Sequence, residues 1–289
     1  MSERVTITQL QERKRRGERI VMLTAYDYPT AKRLDEAGVD AVLVGDSLAM
    51  VVLGHETTTL VTMEEMLHHA KAARRGATRA LLIGDMPFSA LDAAPAKVAT
   101  QAKRFIDDAS CDAVKIEWRP GVEDAVQAIV AAGVAVMGHV GLTPQTAAQE
   151  GGFGMRGKDA VSAARIVEQA QALQDAGCFA IVLECIPDVV AQAITRRLKI
   201  PTIGIGSGPW CDGQVVVTHD LLGLFDRFTP SFVKRYAELG QAIRQAAAAY
   251  SADVRSGRFP GSEHTRTMNP EEQARFKQLL PQRTSQPVR

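Results

Sequence analysis

The stretch Ala41-Val42-Leu43-Val44-Gly45-Asp46-Ser47 decides how the chain is read. Four consecutive apolar residues match a strand covered on both faces, as in a parallel sheet. The run stops at a glycine, and a carboxylate and a hydroxyl follow at once. A charge at the end of a fully buried strand is costly unless something pairs with it, which makes Asp46 a candidate functional position.

Outward from there the design recurs. Ala80-Leu81-Leu82-Ile83-Gly84 ends in Asp85, Ala113-Val114 leads into Lys115-Ile116-Glu117, and Ala135-Val136-Met137-Gly138 ends in His139. Ala180-Ile181-Val182-Leu183 ends in Glu184, and the earlier Ile20 to Ala25 run ends in Tyr26-Asp27. Amphipathic stripes separate these runs, such as Val122, Val126 and Ile129, or Ile166, Ala170 and Leu173. Gly38, Gly133 and Gly177 stand where helix ends need a left-handed residue. Thr62 with Glu65 reads as a capping box opening a helix to about Arg75, Thr8 as the cap of a short helix through Arg16, and Leu48 to Val61 as a long loop. A seventh strand covers residues 201–206, and the eighth repeat is poorly marked.

Strict β/α alternation implies a parallel sheet with right-handed crossovers. An open sheet gathers its ligand at one switch point, whereas here ionisable residues decorate six strand ends, so a closed (β/α)₈ TIM barrel is expected. The 289 residues suffice for one such domain, which needs about 250. The expected organisation is a single barrel over residues 1–264, including the N-terminal helix, and a polar, partly disordered extension over 265–289 with a short helix from Pro270.

An apolar fraction of 46% indicates a sizeable core, and a net charge of +1 supplies no basic field for nucleic acid or an anionic membrane. Arg13 to Arg16 reads as the solvated side of a helix. The four cysteines lack metal-ligand spacing; Cys178 and Cys185 flank a strand as inert thiols. With no apolar leader and no run long enough to span a bilayer, a cytoplasmic enzyme is expected.

Asp46, Asp85 and Glu117 can converge at the barrel mouth, where three carboxylates repel one another unless a cation or proton intervenes. All-oxygen ligands favour a hard metal, most simply Mg²⁺; the alternative is bonding to loop amides or nearby cations. Lys115 and Glu117 share one face of their strand, as an anion clamp or Schiff-base nucleophile with its neighbour, or as a structural ion pair. His139 is a substrate ligand or a satisfied core histidine. Glu184, in an apolar setting, is a general base or a helix cap. Ser47 binds an anion or makes a turn. Trp118 and Trp210 read as packing, and Gly204 to Gly208 as a weak signal for an anion-binding loop.

The segments Leu23-Thr24-Ala25-Tyr26-Asp27, Val44 to Leu48, Asp85-Met86-Pro87-Phe88, Val114 to Glu117, Gly138 to Gln145, Leu183 to Pro187 and Ile203 to Gly208 occur in an order and spacing that resembles the ketopantoate hydroxymethyltransferase family. Asp212 to Val215, His219-Asp220 and Phe259-Pro260-Gly261 extend the likeness over roughly residues 5–264. The resemblance implies a barrel of the phosphoenolpyruvate/pyruvate superfamily. It implies Mg²⁺-dependent transfer of a one-carbon unit from 5,10-methylenetetrahydrofolate to 3-methyl-2-oxobutanoate, through a metal-stabilised enolate, giving 2-dehydropantoate for pantothenate synthesis. Matched by position, Asp46 and Asp85 look like metal ligands and Glu117 a further one, directly or through water. Ser47, Lys115 and His139, with the two aspartates, would bind the keto acid, and Glu184 would take up the proton. A homo-oligomer, a decamer of five dimers, is also implied.

Ala49 stands where the family usually has glycine, as does Trp118, and Gly154-Met155-Arg156-Gly157 replaces its usual Lys-Val-Gln-Gly. Two other readings compete. One is a related Mg²⁺-dependent lyase or aldolase acting on another 2-oxo acid, although no Lys-Lys-Cys-Gly-His loop is present. The other is a weakly active paralogue serving as a binding or assembly subunit.

Overall fold

The computed structural model describes residues 4–147, 152 and 154–280. The chain divides into two compact units, 1–238 and 239–289.

The first unit opens with helix α1 (Ile7–Arg16), followed by β1 (Ile20–Thr24), α2 (Tyr28–Glu36), β2 (Ala41–Val44), α3 (Leu48–Val51), α4 (Met63–Gly76) and β3 (Leu81–Asp85). It continues with α5 (Pro95–Asp107), β4 (Ala113–Glu117), α6 (Val122–Ala131), β5 (Val136–Gly141), α7 (Ala160–Asp175), β6 (Ala180–Glu184), α8 (Asp188–Arg197), β7 (Thr202–Ile205), β8 (Gly213–Val216) and α9 (Thr218–Leu221). All eight strands are parallel and pair in sequence order, and β8 returns to β1 to close the barrel. The eighth strand is Gly213-Gln214-Val215-Val216, too short and too mixed to stand out as an apolar run.

Strand alternation sorts the side chains into two cores. Ile20, Met22, Leu43, Leu81, Ile83, Met137, Val182 and Ile203 point inward and fill the barrel. Val42, Leu82, Val114, Ile116, Val136, Ile181 and Leu183 point outward under the helices. Going up β3 the inward series is Leu81, Ile83, Asp85, and up β4 it is Ala113, Lys115, Glu117. Apolar layers therefore fill the bottom and middle, and ionisable groups make the top.

Helix α1 begins at Ile7, not after Thr8, because Thr6 and Gln9 form a reciprocal capping box. Its Leu10 is 1% exposed and joins the inner core, closing the barrel bottom. The basic run that follows is only half solvated. Arg13 pairs with Asp40 at 2.9 Å and Lys14 with Asp212 at 2.8 Å, while Arg15 and Arg16 reach solvent. The stretch from Leu48 to Val61 holds α3 and a single 3-10 turn at Thr58–Leu60 instead of an unstructured loop. Thr62 and Glu65 do form the capping box of α4, and Gly38, Gly133 and Gly177 all take positive φ.

The second unit contains α10 (Leu239–Arg255), a 3-10 turn at Ser262–His264 and α11 (Pro270–Leu279). The composition of the sequence places a boundary at 264/265, and the compact units part at 238/239. Of the extension expected to be partly disordered, residues 281–289 lie outside the described residues, as does most of Gly151-Gly152-Phe153.

Candidate active site

Five consecutive strands, β2 to β6, deliver the side chains at the barrel mouth. The seven residues singled out from sequence, Asp46, Ser47, Asp85, Lys115, Glu117, His139 and Glu184, line one cavity of about 100 Å³, together with Thr24, Thr58, Val182 and Ile205. Asp85 and Lys115 are register partners on β3 and β4, and Glu117 and His139 on β4 and β5. Asp46 lies past the end of β2, where the chain has turned through Gly45, and its backbone N–H donates to Asp85 Oδ2 at 3.0 Å.

Opposite charges interlock across these strands. Lys115 Nζ lies 2.9 Å from Asp85 Oδ1 and 3.8 Å from Glu117 Oε1. His139 Nδ1 is 3.3 Å from Glu117 Oε1, and its Nε2 is 3.1 Å from Glu184 Oε2. Ser47 Oγ shares a 2.8 Å hydrogen bond with the Tyr26 hydroxyl. Two local features aim these groups. Gly141 takes φ 99 beside the Glu184 carbonyl, where a Cβ would collide with that oxygen. Cys185 adopts the left-handed conformation at φ 48, which turns the chain sharply after Glu184, a strain of about 1 kcal/mol.

Burial governs the electrostatics. It pushes the Asp46 carboxyl up to about 6, with the charge of Glu117 adding to the rise. It pushes Asp85 up to about 7, against the pull of Lys115. Burial works to discharge Lys115, but Asp85, Glu117 and Asp46 outweigh it and hold the ammonium above its ordinary pKa. Burial and Lys115 likewise oppose charge on His139, yet hydrogen bonds to Glu117 and Glu184 raise it to about 9. Its ring lies between two carboxylates, which favour the charged form.

A hard divalent cation fits this donor set. Four carboxyl groups face one lysine and one histidine, so acidic groups outnumber basic ones four to two. The donors are oxygens without thiolates, the set that Mg²⁺ prefers. Among the described residues no three His, Cys, Asp or Glu side chains meet as a cage. An ion held by Asp46 and Asp85 would complete its shell with water and substrate, as Mg²⁺ commonly does.

Residues 4–262 match the family model described as ketopantoate hydroxymethyltransferase. The chain belongs to the ketopantoate hydroxymethyltransferase family. A relative from Oleidesulfovibrio alaskensis, named 3-methyl-2-oxobutanoate hydroxymethyltransferase, is 54% identical over 261 residues, 90% of each chain. The Arabidopsis thaliana protein named 3-methyl-2-oxobutanoate hydroxymethyltransferase 1, mitochondrial, is 49% identical over 91% of this chain and 78% of its own. Among solved structures, phosphonopyruvate hydrolase superposes with a TM-score of 0.60 at 12% identity, covering 94% of each chain. The 2,3-dimethylmalate lyase, described as a PEP mutase/isocitrate lyase superfamily member, gives 0.56 at 18% over 94% of each. At such identities the likeness concerns the fold alone.

For a member of the ketopantoate hydroxymethyltransferase family, the departures in sequence fall outside the cavity. Ala49 is buried in the outer core, and Trp118 packs half-buried against that core without lining the pocket. Trp210 is 47% exposed and donates through Nε1 to Asp188 at 3.4 Å, so it is not a packing residue. Ser207 donates its hydroxyl to the Leu183 carbonyl at 2.8 Å, tying the loop after β7 to β6. Cys185 is half-buried, with burial pushing its thiol up to about 12, and Cys178 behaves alike. The sequence reading gave no role to Gln145 or Tyr26, both of which are built into the site. Nothing but membership of a shared motif marks Gln145 in the sequence.

No helix among the described residues is long and apolar enough to cross a membrane.

Proposed function

We propose that this chain transfers a hydroxymethyl group from 5,10-methylenetetrahydrofolate to 3-methyl-2-oxobutanoate, forming 2-dehydropantoate in pantothenate synthesis. The observation that carries the reading is the adjacency of Asp46 and Asp85, linked through the 3.0 Å hydrogen bond at the mouth, beside the Lys115 ammonium. The names of relatives at about half identity over most of the chain support the reaction type.

Asp46 and Asp85 would hold Mg²⁺. When bound, the cation supplies Lewis acidity next to the ketone of the 2-oxo acid. Lys115 and protonated His139 attract the substrate carboxylate, and Lys115 adds positive charge where negative charge develops as C3 is deprotonated. Ser47, held by Tyr26, hydrogen-bonds to a substrate oxygen. Glu184, at the rim and 16% exposed, removes the C3 proton, its carboxylate held in place by the N–H of protonated His139 Nε2 at 3.1 Å. The C3 carbon forms a bond to the folate methylene carbon as one of that carbon's two C–N bonds breaks, water then replaces the remaining nitrogen, and the C3 proton and one water proton end on the two nitrogens of tetrahydrofolate. Glu117 serves as an outer partner, since its oxygens face Lys115, His139 and the Gln145 backbone N–H.

The homo-oligomer implied by the resemblance belongs to the same reading. Helix α10 has no buried residue and exposes Leu239, Ile243, Tyr250 and Val254. Light scattering reads the assembly directly.

The chemistry is tested without folate. In D₂O with Mg²⁺ and 3-methyl-2-oxobutanoate, the C3 proton signal is expected to vanish by NMR. In Glu184→Gln the exchange is expected to slow by about 10²-fold or more. A wild-type protein that leaves the C3 proton in place, or a variant that exchanges it equally fast, would overturn the assignment.

A further inference from the structure

Gln145 lies on the loop after β5 and is 4% exposed. Its backbone N–H donates to Glu117 Oε2 at 3.1 Å. Its side-chain Nε2 donates to Asp46 Oδ2 and to the Met86 carbonyl, each at 3.0 Å. A carboxylate and a carbonyl are both acceptors, so the amide nitrogen must face them and both its hydrogens are used. The flipped amide would set oxygen against oxygen. Oε1 is left as a buried acceptor with no hydrogen-bond partner among the described residues. Buried side-chain acceptors ordinarily have one, and its absence here calls for a reason.

The contacts span the mouth. One residue ties the loop after β5 to Asp46 beyond β2, to Met86 beyond β3 and to Glu117 on β4. The grip on Asp46 is selective. Oδ2 is engaged, and Oδ1 has no protein hydrogen bond among the described residues.

We propose that Gln145 is a positioning residue for the cation site. Its Nε2 holds the Asp46 carboxylate in one orientation and leaves Oδ1 for the ion. Its Oε1, kept beside that carboxylate by covalent geometry, accepts a hydrogen bond from water carried by the ion. The inference rests on the reading of Asp46 as a cation ligand. Partners of this kind orient a ligand and are worth about 10- to 100-fold in metal affinity.

Mn²⁺ stands in for Mg²⁺, because the free ion is counted directly by EPR without any turnover. Gln145→Met keeps length and bulk and removes the amide. It is expected to weaken Mn²⁺ binding about 10- to 100-fold, to alter the spectrum of the bound ion and to leave the metal-free unfolding temperature within a few degrees. Affinity within about threefold of wild type overturns the proposal, taking tenfold as the smallest effect of such a partner. Thr146→Val removes the 2.6 Å hydroxyl contact with Thr143 in the same loop without touching Asp46. It is expected to bind Mn²⁺ as wild type does; an equal loss would assign the effect to loop order and sink the idea. Should Gln145→Met not fold, Gln145→Asn, which withdraws the amide by one methylene, is expected to show the same weakening, and wild-type affinity there overturns the proposal. Asp46→Asn separates the two levels. If it binds Mn²⁺ as wild type does, the cation reading itself has failed and the role of Gln145 falls with it.

Discussion

Lys115 Nζ stands 2.9 Å from Asp85 Oδ1, and the same two residues are register partners on β4 and β3. Both are 4% exposed or less. The strand pairing that builds the barrel thus also sets the ion pair, and the lysine neutralises part of a cluster that would otherwise be acidic alone.

Removing one member of a buried pair leaves the other charge without compensation. Lys115→Met is expected to cost about 3–5 kcal/mol in urea unfolding of the metal-free protein. Combining it with Asp85→Asn should recover part of that loss. A single-variant cost below about 1 kcal/mol, typical of exposed pairs, would contradict the coupling.

Asp220 is 7% exposed, and its Oδ1 has no hydrogen-bond partner among the described residues. Burial raises its carboxyl to about 6, against the opposing charge of Arg235. Since the folded pKa lies above the unfolded value of about 3.9, the group favours the folded state below pH 4, and that contribution disappears as pH rises through about 6. Asp220→Asn should therefore stabilise the protein by about 2 kcal/mol at pH 8 and by much less at pH 4, read as urea midpoints. Equal gains at both pH values would exclude titration of this carboxyl as the cause.

Gly84 precedes Asp85 and points outward, where an added Cβ would overlap the Phe105 ring of α5. Gly84→Ala is expected to cost about 1–3 kcal/mol through overpacking. Phe105→Leu in the same chain should return part of the loss, because it opens the space the methyl needs. A thermal melt of the two variants decides this, and an unchanged Gly84→Ala melt would show that α5 can move aside.

Leu10 closes the bottom of the barrel, far down the strands from the carboxylates. Leu10→Ala should destabilise by about 2–4 kcal/mol. KM for the keto acid is expected to stay at the wild-type value, since the mouth is built from the opposite strand ends. A large change in KM with little loss of stability would reverse that assignment.

Much of this architecture is legible in one dimension because two physical rules act locally. Side chains on a strand alternate, so Lys115 and Glu117 must share a face, as must Ile83 and Asp85. A charge placed at the end of an apolar run has to find a partner, and that singled out the six ionisable residues that line the cavity, Asp46, Asp85, Lys115, Glu117, His139 and Glu184. Capping chemistry is equally local: Thr62 and Glu65 meet because they are three residues apart. Where local signals competed, the tertiary structure chose. Thr6 caps α1 in preference to Thr8, and Arg13 and Lys14 are drawn out of solvent by Asp40 and Asp212.

The parallel (β/α)₈ order and the identity of the residues that crowd the mouth follow from alternation and burial, which are properties of neighbours along the chain. How those residues are wired depends on folding in three dimensions. Gln145 reaches Asp46 across 99 positions of sequence, His139 bridges Glu117 to Glu184, and a strand as nondescript as Gly213-Gln214-Val215-Val216 completes the ring. Barrel closure brings first and last strands together, and no periodicity along a chain encodes a contact made by closing a circle.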